Sequence, residues 1–266
     1  MAFLSIQTVA FIFGISGNIV SFLVFLAPVP TFYKIYKRKS SEGFQALPYS
    51  VALFSASLLL YYAFLKSNTY ILSINGIGCV IELIYLLIYI IYAPYKTKIS
   101  MSRLLFIFNV GGLGVIVAIS LLVVKGSNRV TLVGWVCAIV NVAVFAAPLS
   151  IMKQVIRTKS VEFMPITLSF FLTICATVWF FYGFFIKDYY IALPNVMGFL
   201  FGIVQMILYF IYKNAKKDVD TNLKLEGTAE DFEMNLKVEG CKIPRKDIEM
   251  NLKMEEVAAD KELSAV

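Results

Sequence analysis

Two asparagines, Asn75 and Asn195, stand 120 residues apart, each inside a long apolar run. A primary amide offers two donors and an acceptor without carrying charge. Two such amides at equivalent positions near the middle of a bilayer suit an uncharged, hydroxyl-rich ligand. The same amides can instead bridge neighbouring helices. Trp179 could stack its indole face on the apolar face of a pyranose ring, or serve as an interfacial anchor; its counterpart 120 residues earlier is Leu59. Four prolines, Pro28, Pro48, Pro148 and Pro165, fall at one end of their apolar runs. A proline inside a helix removes one hydrogen bond and orphans the carbonyl four residues back. For Pro28 and Pro148 these are the carbonyls of Val24 and Val144. One proline alone would read as a helix end, whereas a symmetric set of four reads as hinges.

The acids are few. Glu82 lies within an apolar run, where a carboxylate is a functional candidate by default. It could relay protons, or it could be a protonated or helix-capping structural residue. Its counterpart is Gly202, and the chain contains no His to share a proton path. Tyr62 and Asp188 sit at the opposite helix ends from the prolines and could latch that mouth. An ordinary loop acid and a belt tyrosine fit them equally well. No Walker loop, GxSxG, HExxH or catalytic carboxylate pair is present. No enzyme activity, ATP-driven transport, metal or cofactor is expected.

These residues are set in an unusually apolar chain. Of 266 residues, 59% are hydrophobic and 15% charged, with a mean hydropathy of +0.79. Soluble domains are about half apolar and about a quarter charged. The surplus apolar surface requires lipid. Residues 1–212 hold 14 Lys/Arg against 4 acids, and the remaining 54 residues hold 10 against 13. The basic excess therefore belongs to the apolar body, where Lys and Arg orient loops; it is no nucleic-acid footprint. Cys79, Cys137, Cys175 and Cys241 form no CxxC pair, so neither a disulfide framework nor a zinc site is expected.

A hydrocarbon layer about 30 Å thick needs about 20 apolar residues in a helix. Seven such runs are predicted at 6–29, 46–65, 70–92, 104–124, 131–152, 166–186 and 191–212. The first lacks a basic stretch ahead of it and is long enough to span, so it reads as a span rather than a cleaved leader. The connections at 30–45, 93–103 and 153–164, and the segment after 212, carry most of the Lys and Arg. The positive-inside rule makes these cytoplasmic, with the N-terminus outside and the C-terminus inside.

The chain also repeats itself. FLAP at 25–28 matches FAAP at 145–148, and Lys39-Ser40-x-Glu42 matches Lys159-Ser160-x-Glu162. Pro48 and Pro165 are 117 apart; the offset returns to 120 by Tyr62 and Tyr182 and holds for Asn75/Asn195, Gly78/Gly198 and Tyr92/Tyr212. Spans 1–3 and 5–7 are thus copies with the same orientation, a parallel repeat about an axis along the membrane normal. The expected fold is an all-α membrane protein of seven transmembrane helices in a 3+1+3 arrangement. Its units are residues 1–95 (first three-helix repeat), 96–127 (linker span 4), 128–213 (second repeat) and 214–266 (a polar tail expected to be disordered and cytoplasmic). Gly14/Gly17, Gly111/Gly112/Gly114 and Gly198/Gly202 are placed to allow close helix packing. The tail repeats Asn-Leu-Lys at 222, 235 and 251, read as a local duplication or a docking element.

The segments FLAPVPTF, KSSEGFQALPY, INGIG, FAAPLSIM, TKSVEFMP, VWFFYG and LPNVMG occur in order along the chain. Together they resemble the plant SWEET (MtN3/saliva) sugar transporters over residues 5–213, a family already known for parallel repeats. The resemblance implies a facilitative, bidirectional sugar uniporter that works by alternating access, expected in the plasma membrane. It implies a proline tetrad at Pro28, Pro48, Pro148 and Pro165, a central asparagine pair at Asn75 and Asn195, and an outer gate of Tyr62 and Asp188. It implies pocket-lining positions at Ser21, Val24, Ser55, Leu59, Asn141, Val144, Cys175 and Trp179. Members that take sucrose commonly carry Trp where this chain has Leu59 and Ser where it has Cys175. The small residues Val24, Ser55, Val144 and Cys175 leave room for a disaccharide. Sucrose is expected first, glucose or fructose second. The expected partners are a sugar and the bilayer, and oligomers with itself or related transporters stay open. The rival is a proton-coupled carrier of another small polar solute that uses Glu82. A seven-helix receptor would give the 120-residue repeat no role.

Overall fold

The computed structural model describes residues 5–161, 164 and 166–213, and these are helical almost throughout. Pro165, Glu162 and the segment 214–266, with its Asn-Leu-Lys elements and Cys241, lie outside the described residues. In hydrocarbon every backbone polar group must be satisfied within the protein, and a helix does this within one segment. Among the described residues, seven helical stretches are long and apolar enough to cross a membrane: Ile6–Arg38, Leu47–Lys66, Thr69–Tyr92, Tyr95–Leu122, Asn128–Thr158, Ile166–Phe185 and Tyr189–Tyr212.

Three of these outrun the hydropathy runs. The first breaks into α1 (Ile6–Leu26) and α2 (Val29–Arg38), and the fifth into α7 (Asn128–Val144) and α8 (Ala146–Thr158). The fourth is α5 (Tyr95–Leu104), a π-helical stretch (Leu105–Gly112) and α6 (Leu113–Leu122). The stretches expected as basic loops at 30–45, 93–103 and 153–164 therefore hold helix at 30–38, 95–103 and 153–158. Their composition explains this. In α2, Phe32 and Ile35 are buried at helical spacing while Lys34, Lys37 and Arg38 point to solvent. A hydropathy window averages such an amphipathic helix to nothing. Basic residues in the last turn also suit the negative end of the helix dipole.

The remaining helices are α3 (Leu47–Lys66), α4 (Thr69–Tyr92), α9 (Ile166–Phe185) and α10 (Tyr189–Tyr212). Their packing closes a ring. α1 packs on α4, α4 on α3, α3 on α7, α7 on α10, α10 on α9, and α9 on α1. Within each repeat the third helix thus sits between the first and second. Between repeats, the first helix of one meets the second helix of the other, twice. The fourth span lies outside this ring against α3, α4 and α7.

The duplication extends to single contacts. The Tyr70 ring lies on Gly14 and the Tyr190 ring on Gly134; the Phe25 ring lies on Gly78 and the Phe145 ring on Gly198. Lys39 Nζ donates to the Tyr92 hydroxyl (3.2 Å) and Lys159 Nζ to the Tyr212 hydroxyl (3.0 Å). Among the described residues, the four non-glycine residues with positive φ are also two repeat-related pairs, Lys39/Lys159 and Ser67/Lys187. Each ends a helix in the left-handed region, where an L-residue costs about 1–2 kcal/mol.

In the fourth span a side chain at Gly112 would meet the Phe54 ring at 3.4 Å, as close packing requires, but Gly114 departs from expectation. A side chain at Gly114 would meet nothing within 4 Å. Gly114 instead lines a cavity of about 1110 Å³ between α3, α4 and the fourth span. Gly78→Leu must displace Phe25 and should cost roughly 1–3 kcal/mol through overpacking. Gly114→Leu should stay within about 0.5 kcal/mol, as surface substitutions do. Thermal denaturation of the purified proteins measures both, and equal losses would contradict this packing.

Candidate functional site

The ring positions ten of the predicted residues. α1 carries Ser21 and Val24; α3 carries Ser55 and Leu59; α4 carries Asn75. In the second repeat α7 carries Asn141 and Val144, α9 carries Cys175 and Trp179, and α10 carries Asn195. The structure joins part of this set across the repeat boundary. Ser21 Oγ lies 3.2 Å from Cys175 Sγ, and Ser55 Oγ donates to Asn141 Oδ1 at 3.1 Å. These pairs are related by the 120-residue offset. Trp179 adds to the first: its Nε1–H donates to Ser21 Oγ at 2.8 Å, and its ring lies against Gly17. Val24 and Val144 are half-buried one turn further along. Leu59, opposite Trp179 in the duplication, packs at the edge of the apolar cluster that holds Leu58 and Trp179.

The asparagine pair differs from the sequence expectation in what it offers. Asn75 Nδ2 donates to the carbonyl of Ile71 at 2.8 Å, and Asn195 Nδ2 donates to the carbonyl of Ile191 at 2.7 Å. The opposite amide orientation would set oxygen against oxygen, so the bond determines the assignment. Each amide thus spends a donor on its own helix. No donor among the described residues reaches either Oδ1, and no hydrogen bond joins the two amides. What both retain is a second amide N–H and an unused acceptor.

One end of the ring is tied shut. The Tyr62 hydroxyl lies 2.9 Å from both carboxylate oxygens of Asp188 and shares its one proton between them. Lys66 Nζ donates to Asp188 Oδ2 at 2.9 Å, the one ion pair among the described residues. Asp188 is 1% exposed. A carboxylate so buried persists only when paired and hydrogen-bonded. Sequence reasoning missed the second half of this closure. The Tyr182 hydroxyl donates to Asn68 Oδ1 at 2.9 Å, and the same oxygen caps α4 by accepting from the Ile71 N–H. Tyr62 and Tyr182 are repeat-related, and so are Asn68 and Asp188. Each tyrosine reaches the residue before the third helix of the other repeat. Tyr62 also meets Tyr190 edge-on, and Tyr182 meets Tyr70. The signal was legible: Asn68 stands 120 residues before Asp188.

At the other end the prolines differ from one another. Pro28 lies in the break between α1 and α2. The carbonyl of Val24, which the spacing leaves orphaned, accepts from the Ala27 N–H at 3.1 Å. Pro148 falls just after the break at Phe145. Pro48 lies in the first turn of α3, where a missing N–H costs nothing. Glu82 is buried at 4% exposure, and its Oε2 has no hydrogen-bond partner among the described residues. No Lys or Arg among the described residues pairs with it. The 1110 Å³ cavity is unrelated to these groups; it lies outside the ring and none of the ten residues lines it.

Comparison with known proteins gives one consistent result. Residues 11–97 and 131–217 each match the family model described as sugar efflux transporter for intercellular exchange, MtN3/saliva type. The chain is 66% identical over 218 residues to the bidirectional sugar transporter NEC1 of Petunia hybrida, covering 82% of each chain. It is 56% identical over 234 residues to the bidirectional sugar transporter SWEET9 of Arabidopsis thaliana, covering 87% of this chain and 91% of that one. A solved eukaryotic SWEET transporter superposes with a TM-score of 0.74 at 33% identity, over 79% of this chain and 99% of its own.

The two arms of the closure differ in charge, so their strengths should differ. A double-mutant cycle of Tyr62→Phe with Asp188→Asn should return about 1.5–3 kcal/mol, the range for hydrogen bonds to charged groups. The cycle of Tyr182→Phe with Asn68→Ala should return about 0.5–1.5 kcal/mol. Denaturation midpoints of the purified variants read both, and the reverse order would contradict the arrangement.

Proposed function

Because the chain belongs to the MtN3/saliva (SWEET) family of sugar efflux transporters, we propose that it carries a neutral sugar across a membrane in either direction by alternating access. The relatives it resembles are named as transporters, and the chain is not an enzyme. The observation that carries the reading is the exchange of contacts between repeats. Tyr62 reaches Asp188 while Tyr182 reaches Asn68, and Ser21 reaches Cys175 while Ser55 reaches Asn141. Two bundles that meet through such exchanged pairs, and through the packing of α1 on α9 and of α3 on α7, can rock about the region between them.

In this reading the sugar lies between Asn75 and Asn195 and donates its hydroxyls to their free oxygens. Ser21, Val24, Ser55, Leu59, Asn141, Val144 and Cys175 line the pocket, and the Trp179 indole supplies the stacking face. Tyr62 and Asp188 close the outer mouth, and the prolines flex the inner side. The N-terminus is outside, the basic helix ends face the cytoplasm, and the membrane is the plasma membrane. Sucrose is the first substrate and glucose or fructose the second. A passive carrier needs comparable affinity in its two states, because a ligand that strongly prefers one traps it there. The buried, unpartnered oxygen of Glu82 favours one alternative, coupling to protons.

Uptake of labelled sucrose, glucose and fructose by proteoliposomes decides between these readings. Asn75→Ala and Asn195→Ala should each lower uptake by about tenfold or more, the cost of one lost hydrogen bond to a sugar hydroxyl plus its neighbours. Normal uptake by both variants would remove the site. Uptake should persist without a pH gradient and in Glu82→Gln; strict dependence on the gradient, lost in Glu82→Gln, would establish the proton-coupled carrier instead.

A further inference from the structure

The two proline breaks are built differently. The first reads Ala27-Pro28-Val29-Pro30 and the second Ala147-Pro148-Leu149-Ser150. Two prolines in the first remove two N–H groups, so the carbonyls of both Val24 and Leu26 lose their ordinary helical partners. One side chain holds both sides of this break. The Tyr85 hydroxyl on α4 donates to the carbonyl of Phe25 at 2.8 Å, just before the break. The Tyr85 ring stacks on Phe32, just after it, at 4.3 Å between centroids and 10° between planes. Phe32 also meets Tyr49 of α3 edge-on at 4.8 Å, so three rings tie α2, α3 and α4 together.

At the second break the side chain that spans it is Phe201 of α10, whose ring meets Phe145 at 5.2 Å and packs against the Met152 cluster, with no hydrogen bond and no parallel stack among the described residues. The positions equivalent to Tyr85 and Phe32 are Gln205 and Met152. Among the described residues no hydrogen bond joins Gln205 to Phe145, the counterpart of Phe25. Met152 packs instead in a cluster with Val155 and Met164. A methionine has three rotatable bonds and adapts to shifting neighbours, whereas stacked rings have one favoured geometry.

From this we infer that Tyr85 is a positioning residue that pins α2 to its own bundle, so that α8 is the arm that swings when the proline end opens. The inference rests on the carrier reading for its place in a transport cycle. The pinning itself is a property of the apo protein. It makes the two halves of a duplicated machine mechanically unequal at their hinges while their helix order stays symmetric.

Hydrogen exchange of the full chain in lipid nanodiscs, without sugar, tests the inference. Amides of 31–38 should exchange about tenfold more slowly than those of 151–158, because local opening depends on the contacts holding each segment. Tyr85→Phe, which keeps the ring and removes the hydroxyl, should speed exchange in α2 several-fold and leave α8 unchanged. The double variant Gln205→Tyr with Met152→Phe should slow exchange in α8 and lower the turnover of sugar uptake with KM unchanged. Equal exchange in the two arms of the unaltered protein overturns the inference. So does a Tyr85→Phe variant that alters both arms alike or neither. These two results decide the matter even where the double variant does not fold. Failure of the unaltered chain to take up sugar, with the difference between the arms intact, would sink the carrier reading alone.

Discussion

Within hydrocarbon no water is available to a stray carbonyl or N–H, so every backbone polar group must find its partner inside the protein. Much of the polar chemistry in this chain answers that constraint. Asn18, Asn75, Asn141 and Asn195 each return an amide N–H to the carbonyl four residues back. Thr173 and Thr177 do the same with their hydroxyls. Where a helix breaks, a side chain arrives from elsewhere: Tyr85 at the first proline break, and Arg129 over the carbonyls of Ser120, Leu121 and Val124 at the end of α6. The polar atoms left over are correspondingly few, and these are the ones that a ligand can address.

The duplication distributes this economy unevenly. Contacts that hold each bundle together are repeated faithfully, such as Tyr70 on Gly14 with Tyr190 on Gly134, and Phe25 on Gly78 with Phe145 on Gly198. Contacts between bundles keep the geometry but change the chemistry. The Tyr62 arm meets a buried carboxylate with a lysine beside it, whereas the Tyr182 arm meets a neutral amide. Leu59 stands where Trp179 would repeat, Ser55 where Cys175 would, and Gly202 where Glu82 would. A ligand held between such halves sees two different walls, which a strictly symmetric site could not provide. Stacked rings beside the first proline break, against methionines and the tilted Phe145–Phe201 pair beside the second, extend the same inequality to the proline end.

The sequence by itself determined the number of spans and the 3+1+3 division, and it singled out residues that the fold joins across the repeats, such as Tyr62 with Asp188. Span length against bilayer thickness and a constant offset of 120 residues are linear properties, and they survive projection onto one dimension. Asn75, Asn195, Tyr62 and Asp188 were legible because their types are costly in lipid and their spacing is that of the repeat. Only the tertiary structure decided what those groups do with their hydrogen-bonding capacity. One amide N–H of each of Asn75 and Asn195 turns back on its own helix, the carbonyl of Val24 is taken by Ala27, and Pro48 stands in the first turn of α3. The amphipathic ends of α2 and α8 and the open face of Gly114 were likewise hidden, since periodicity and neighbours are lost when hydropathy is averaged. The closure of one end by Tyr182 on Asn68 as well as Tyr62 on Asp188 came from folding, because a hydrogen bond across more than a hundred residues depends on which helices become neighbours. That neighbour order, a ring in which each first helix meets the other repeat's second, is a property of packed surfaces, which a one-dimensional pattern does not specify.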